Sequence, residues 1–189
     1  MQIALDIDGV LANFSHAYAH KLIKVGGNKL PKGWQVDPEW PRVWYWDREA
    51  GYSPEIEKEV WTKHILQAGS DFWKNLQPLD TAIESLLMLN SLIKAGKADC
   101  YFLTHRMGDR AKNQTEEWLY EMGIDYPTVL LGADKVPYLN ILKPDFFIDD
   151  KPEHVLAALQ ADVVDQLYLK MAPYNKDLWA HPGFKKAMS

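Results

Sequence analysis

Five short apolar runs, Ile3–Ile7, Cys100–Leu103, Thr128–Leu131, Phe146–Ile148 and Val163–Leu169, set the strongest limit on what this chain can fold into. Runs this short suit strands covered on both faces, the habit of parallel sheets. Helical patterns separate most of them. Asp80 can cap a helix in which Ile83, Leu86, Leu87 and Ile93 recur on one face, with Gly96 just beyond its end. A second helix is expected from about Asp109 to Met122, carrying Trp118 and Leu119 and stopping at Gly123. A third starts at Pro152, well suited to a first helical turn, and ends near Ala161. Strands alternating with helices predict an α/β fold, a Rossmann-like three-layer sandwich around a parallel sheet.

The interval 14–79 breaks this rhythm. It holds a helical stretch over Ser15–Val25, then a Gly/Pro/Trp-rich segment, then Ser53-Pro54 opening a helix through about Gln67. Six of the eight tryptophans fall in it: Trp34, Trp40, Trp44, Trp46, Trp61 and Trp73. It reads as a small, mainly helical cap inserted after the first strand and packed over the sheet's C-terminal edge, where open α/β folds bind ligands. The core domain then comprises residues 1–13 and 80–189. The tail, Met171–Ser189, shows no clear periodicity and is expected to wrap the surface.

Polar residues gather at the ends of the expected strands. Asp6 and Asp8 close the first, with Gly9 making the turn; Thr104 closes the second, Lys135 follows the third, and Asp149 with Asp150 closes the fourth. A parallel sheet brings such ends to one edge. On an extended backbone, residues i and i+2 share a side, so both carboxylates of the DxD can face one site. A lone DxDG is often only a turn with solvated or capping aspartates. An ordered series at four strand ends is far harder to obtain by accident.

Three carboxylates without a thiol or clustered imidazoles favour a hard cation that keeps several waters, Mg²⁺ rather than zinc. Such a site suits phosphoryl transfer. Asp6 would attack phosphorus in line, Asp8 would act as general acid and then base, Thr104 would bind phosphate oxygens, and Lys135 would steady the transition state.

Composition narrows the partners. The net charge is −5 and no long basic run occurs, which gives a duplex-binding surface little support. The single cysteine, Cys100, lies in an apolar run and is expected to be a buried structural thiol; it excludes an internal disulfide. No apolar stretch reaches the ~18 residues of a membrane span, and the N-terminus has no basic region followed by an apolar one. A soluble, cytoplasmic protein is expected. Nothing in the sequence sets an oligomeric state. His16, His20 and His64 lie in the cap segment without ligand spacing and read as ordinary.

These residues also carry a family resemblance. Asp6-Ile7-Asp8-Gly9-Val10-Leu11 resembles the first motif of the haloacid dehalogenase-like (HAD) superfamily, and Tyr101-Phe102-Leu103-Thr104 the second. Lys135 in Gly132-Ala133-Asp134-Lys135 resembles the third, and Phe147-Ile148-Asp149-Asp150-Lys151-Pro152 the fourth. Aspartate at position 8 points to a phosphatase or phosphotransferase. A narrower resemblance is to the 5'(3')-deoxyribonucleotidase branch, carried by residues 8–14, 148–152 and Ala172-Pro173-Tyr174-Asn175. It implies that Asp6 and Asp149 bind metal by side chain, Asp8 by its backbone carbonyl, and that Phe14 lines a base pocket. The chain departs from that branch after Thr104, reading His105-Arg106-Met107-Gly108 where small residues and then a lysine are usual. Arg106 is expected to replace that phosphate contact, and Asp150 to lie against substrate. For His105 a substrate contact and a structural hydrogen bond stay equally open.

An aromatic lid over a phosphate site could stack a nucleobase, whereas each cap tryptophan taken singly is better explained as core. The leading expectation is a Mg²⁺-dependent phosphomonoesterase acting through an aspartyl-phosphate on a (deoxy)nucleoside monophosphate. A phosphatase for a sugar phosphate or other small metabolite, a catalytically silent binding protein of the same fold, and a polynucleotide end-phosphatase are the alternatives.

Overall fold

The computed structural model describes residues 1–67, 69–80, 82–182 and 185–187, the last three by their backbone. Six strands, β1 (Gln2–Leu5), β2 (Asp99–Thr104), β3 (Thr128–Leu131), β4 (Phe146–Asp149), β5 (Gln166–Lys170) and β6 (Lys185–Ala187), form one sheet in the order β3-β2-β1-β4-β5-β6. Every adjacent pair is parallel. The expected α/β sandwich is therefore the observed architecture. The tail adds two elements that its lack of periodicity hid, a 3₁₀ helix over Pro173–Leu178 and the edge strand β6.

The apolar runs are explained by their two covered faces. Ala4, Leu103, Phe147, Leu167 and Leu169 pack on one side against α6 (Val136–Leu142) and α7 (Pro152–Ala161), through Leu139, Val155 and Ala158. Leu5, Phe102 and Val129 pack on the other against α4 (Ala82–Lys94) and α5 (Ala111–Glu121), through Leu86, Leu89, Trp118 and Leu119. Helix α6 escaped the sequence reading because it is short and carries Pro137 in its first turn. The face read for α4 needs correction. Ala82, Leu86, Leu89 and Asn90 are its buried residues, while Ile83 and Leu87 are exposed. Asn90 turns inward because it exchanges hydrogen bonds with Asp125 beyond α5, donating from its side-chain nitrogen and accepting from the Asp125 amide, each at 3.4 Å. Asp80, expected to cap α4, lies two positions before its first residue, Ala82, and the intervening Thr81 is outside the described residues.

From β1 the chain builds outward to β2 and β3, then returns to β1's other side for β4 and β5. The direction of winding thus reverses at β1, which opens a crevice at the carboxyl ends of β1, β2 and β4.

Residues 14–79 leave and rejoin the sheet at a single point. Asn13 donates its amide to Gln77 O (2.8 Å) and Leu79 to Leu11 O (2.8 Å), stitching the two ends together. Between them lie α1 (Phe14–Gly26), a 3₁₀ turn over Trp34–Val36, α2 (Trp46–Glu49) and α3 (Pro54–Val60). Ser53 caps α3 by accepting from Ile56 N, as the Ser-Pro pair suggests. The helix expected to run on through Gln67 instead widens at Trp61–Ile65 into a π-turn, with Leu66 N donating to Trp61 O (2.8 Å). Trp34, Trp40 and Trp46 are buried with Tyr18 and Leu22 in a cluster continuous with one face of the sheet.

Asn175 secures the tail to the sheet. Its side chain donates to Asp150 O (2.8 Å) and Lys170 O (2.9 Å) and accepts from Ala172 N (3.0 Å) and Trp179 Nε1 (2.7 Å). Asn175→Ala leaves buried carbonyls unpaired and should lower unfolding stability by roughly 2–4 kcal/mol. Urea denaturation checks this; an unchanged midpoint would mean that the 3₁₀ segment holds itself without Asn175.

Candidate active site

The loop after β1 is shaped by one carbonyl. Ile7 O accepts the amides of Val10 (3.3 Å), Leu11 (2.8 Å) and Ala12 (2.8 Å), so the chain coils tightly immediately past Asp6 and Asp8. Gly9 sits at φ +87°, and a Cβ there would collide with the Asp150 carboxylate and the Tyr174 hydroxyl. Only glycine lets this turn close onto β4's end.

Asp6, Thr104, Lys135, Asp149 and Asp150 converge at the carboxyl edge, and all five are buried. Lys135 places its ammonium 2.6 Å from Asp6 Oδ1 and 2.6 Å from Asp149 Oδ2. Asp149 further accepts from the amide of Lys151 (2.8 Å, Oδ1) and from His154 Nδ1 (2.9 Å, Oδ2). Asp150 accepts through Oδ2 from the Tyr174 hydroxyl, whereas its buried Oδ1 has no hydrogen-bond partner among the described residues.

Electrostatics separates these groups. Burial raises the Asp6 pKa to about 6; Lys135 works to lower it, while Asp149 and Asp8 push it further up. Burial also acts to raise Asp149, but Lys135 and His154 outweigh it and hold that carboxylate below its ordinary range. Asp150 is raised well above that range, by burial first and then by Asp149 and Asp6. For Lys135 burial alone would favour the neutral amine; Asp149 and Asp6 reverse this and keep the ammonium charged.

One carboxylate oxygen from each of Asp6, Asp149 and Asp150 lies within 4.8 Å of the others. An all-oxygen set that includes an unpartnered buried oxygen fits a hard divalent cation such as Mg²⁺. Asp150, expected to lie against substrate, lines the cavity and also joins this acidic group. The Asp8 carboxylate stands outside this group.

Arg106, expected at the phosphate, is not among the residues that line the cavity; its guanidinium is fully buried against Asp8. Nε donates to Asp8 Oδ2 (3.0 Å), Nη2 to Asp8 Oδ1 (2.9 Å) and Nη1 to Thr115 Oγ1 (3.1 Å). Thr104 Oγ1 also donates to Asp8 Oδ2, at 3.4 Å. His105 does line the cavity, and burial together with the neighbouring Lys151, His154 and Lys135 lowers its pKa.

Above the carboxylates opens a cavity of about 370 Å³. Phe14, Trp44, Trp46, Trp61 and Trp73 line it, with Tyr18, Asp47 and Glu57 also at its wall. Phe14 stacks on Tyr18 (5.4 Å between ring centres) and on Trp73 (5.9 Å). Four of the six tryptophans of residues 14–79 thus face the cavity, while Trp34 and Trp40 pack with His16 away from it. His154, Lys151 and Tyr174 were not singled out from the sequence as site residues. Tyr174 had a signal in the 172–175 run, whereas His154 looks like any first-turn helix residue.

Comparison with known proteins agrees with this geometry. The sequence model of the family described as "5' nucleotidase, deoxy (Pyrimidine), cytosolic type C protein" matches residues 1–179. No curated protein matches the chain in sequence. Among solved structures, a haloacid dehalogenase-like family hydrolase from Streptococcus pneumoniae superposes with a TM-score of 0.59 at 14% identity, over 98% of this chain and 92% of that one. The HAD-hydrolase YfnB from Bacillus subtilis, in a form bound to magnesium, gives 0.56 at 13% identity, over 97% and 92%. These identities establish a shared fold.

The raised Asp6 pKa has a consequence for stability. An unfolded aspartate titrates near ~4, and the folded one at about 6. Between these values the folded chain holds a proton that the unfolded chain has lost, so this residue's contribution to stability falls as pH rises through the window. Asparagine does not titrate. In metal-free protein, the stability of Asp6→Asn relative to wild type should therefore grow between pH ~4 and ~6 and level off above ~7. Urea titrations at each pH measure it; a flat difference would show that burial does not hold the proton on Asp6.

Proposed function

Since the chain belongs to the 5' nucleotidase, deoxy (Pyrimidine), cytosolic type C family of phosphomonoester hydrolases, we propose that it hydrolyses nucleoside 5'-monophosphates, deoxyribonucleotides foremost, through an aspartyl-phosphate on Asp6. The observation that carries this reading is the buried Lys135 ammonium bridging Asp6 and Asp149 at the floor of an aromatic-walled cavity. The floor suits a phosphate and the walls suit a base.

In this reading residues 1–13 and 80–189 form the catalytic core and residues 14–79 the cap. An oxygen of Asp6 attacks phosphorus, and the P–O bond to the sugar breaks as Asp8 gives its proton to the departing oxygen. Asp8 then takes a proton from water, whose oxygen attacks phosphorus and frees the Asp6 carboxylate. Lys135 stays protonated throughout and stabilises the charge that gathers on the phosphoryl oxygens. Asp6, Asp149 and Asp150, with the backbone carbonyl of Asp8, are the residues that would hold Mg²⁺, which when bound offsets the repulsion between phosphate and carboxylates. The Bacillus subtilis protein of the same fold was solved bound to magnesium, which supports the choice of this cation. Thr104 and His105 serve the phosphate end, and Phe14 stacks against the base.

Two substitutions test the reading. Asp6→Asn should reduce turnover of a deoxynucleoside 5'-monophosphate with Mg²⁺ by at least ~10³-fold while circular dichroism stays unchanged; near-normal turnover by that folded variant would overturn the mechanism. Phe14→Ala removes a stacking face worth roughly 1–3 kcal/mol. It should lower kcat/KM for the nucleotide by ~10-fold or more, yet change that for a small alkyl phosphate little. Equal losses on both would make Phe14 a packing residue and leave the base pocket unsupported.

A further inference from the structure

Three hydrogen bonds hold the Asp8 carboxyl. Its Oδ2 accepts two donors, Arg106 Nε (3.0 Å) and Thr104 Oγ1 (3.4 Å), while Oδ1 accepts one, Arg106 Nη2 (2.9 Å). A carboxylate oxygen has two lone-pair sites. Oδ2 is therefore saturated, and Oδ1 keeps one site open.

The guanidinium that imposes this arrangement is itself fixed on every side. Its third nitrogen donates to Thr115 Oγ1 (3.1 Å), a hydroxyl that α5 anchors through its own bond to Ala111 O (2.7 Å). Its carbon lies 5.2 Å from the ring centre of Trp73 and 5.7 Å from that of Trp118. Trp73 is a wall of the cavity, and its indole nitrogen donates to Met107 O (2.9 Å), next to Arg106 in the chain. A bidentate fork packed near two aromatic rings and anchored by a third hydrogen bond has little freedom to turn, and the carboxylate gripped by it has little as well.

We propose that Arg106 is a positioning residue for phosphoryl transfer, fixing the Asp8 carboxyl so that Oδ1 is the oxygen that carries the transferred proton. The inference rests on the acid–base role given to Asp8 above. In the first step the Oδ1–H bond breaks, the proton passes to the leaving oxygen, and that oxygen takes the electron pair of the P–O bond. The carboxylate left behind is already paired with Arg106, which neither gains nor loses a proton. In the second step Oδ1 recovers a proton from the attacking water.

The test exploits the leaving group. An alkoxide needs protonation to depart, whereas 4-nitrophenolate does not, and kcat/KM reports the step in which the leaving group departs. Arg106→Lys and Arg106→Gln should lose at least ~10-fold in kcat/KM for a deoxynucleoside 5'-monophosphate but less than ~3-fold for 4-nitrophenyl phosphate. Thr115→Val, a near-isosteric change that frees only Nη1, should show the same selectivity in weaker form and keeps the test available if the Arg106 variants fold poorly. Equal losses on both substrates in the folded variants would reduce Arg106 to a structural ion pair. Asp8→Asn serves as the reference. If it shows the leaving-group selectivity while the Arg106 and Thr115 variants do not, Asp8 is the acid and the positioning role fails. If Asp8→Asn itself lacks the selectivity, the acid assignment fails and takes this inference with it. In the Asp8→Asn background, Arg106→Lys should add no further selectivity; an additional effect would show that Arg106 acts on the substrate directly.

Discussion

Lys135 holds its ammonium 2.6 Å from Asp6 and 2.6 Å from Asp149 in a place almost closed to water. A single buried charge would be costly, and two carboxylates alone would repel each other. The pair of contacts joins the end of β1 to the end of β4 and fixes the residue just before α6 against both. The compensation is incomplete. Asp6 remains raised, chiefly by burial, and among the described residues Asp150 retains an unpartnered oxygen.

Around this centre, close approach is as important as charge. Gly9 lets the loop after β1 lie against Asp150 and Tyr174, and the Asn175 side chain holds the Asp150 carbonyl from the other side. The tail therefore belongs to the site although its contacts are made from beyond the last of the motif-bearing strands. On the opposite side, α1 leaves the loop directly, which is why Phe14 stands at the cavity and stacks with Tyr18 and Trp73. A segment rich in indole rings can do two jobs at once. Trp34 and Trp40 fill its interior, and Trp44, Trp61 and Trp73 present faces to the cavity.

Much of the fold was legible in the chain because local physics repeats there. The strands appeared as short apolar runs since both faces are covered, and α7 announced itself with Pro152 at its first position. Helix α6 and the 3₁₀ segment of the tail lacked such signals: one is a seven-residue helix, the other is held by Asn175 rather than by periodic burial. Helix α4 misled for a related reason. Its inward face includes Asn90, whose burial depends on Asp125, a partner 35 residues away that hydrophobic periodicity cannot register.

By itself the sequence determined the alternation of strands and helices, and with it the convergence of Asp6, Thr104, Lys135, Asp149 and Asp150 on one edge, because parallel strands have no other way to end. Only the tertiary structure decided how those groups pair. It gave Lys135 to two carboxylates, drew Asp150 into the acidic group, brought His154 to Asp149, and turned Arg106 away from the cavity to grip Asp8. Pairings of this kind join residues as much as 129 positions apart, such as Asp6 and Lys135. The pattern of a chain records which groups reach a common edge, and packing alone selects their partners.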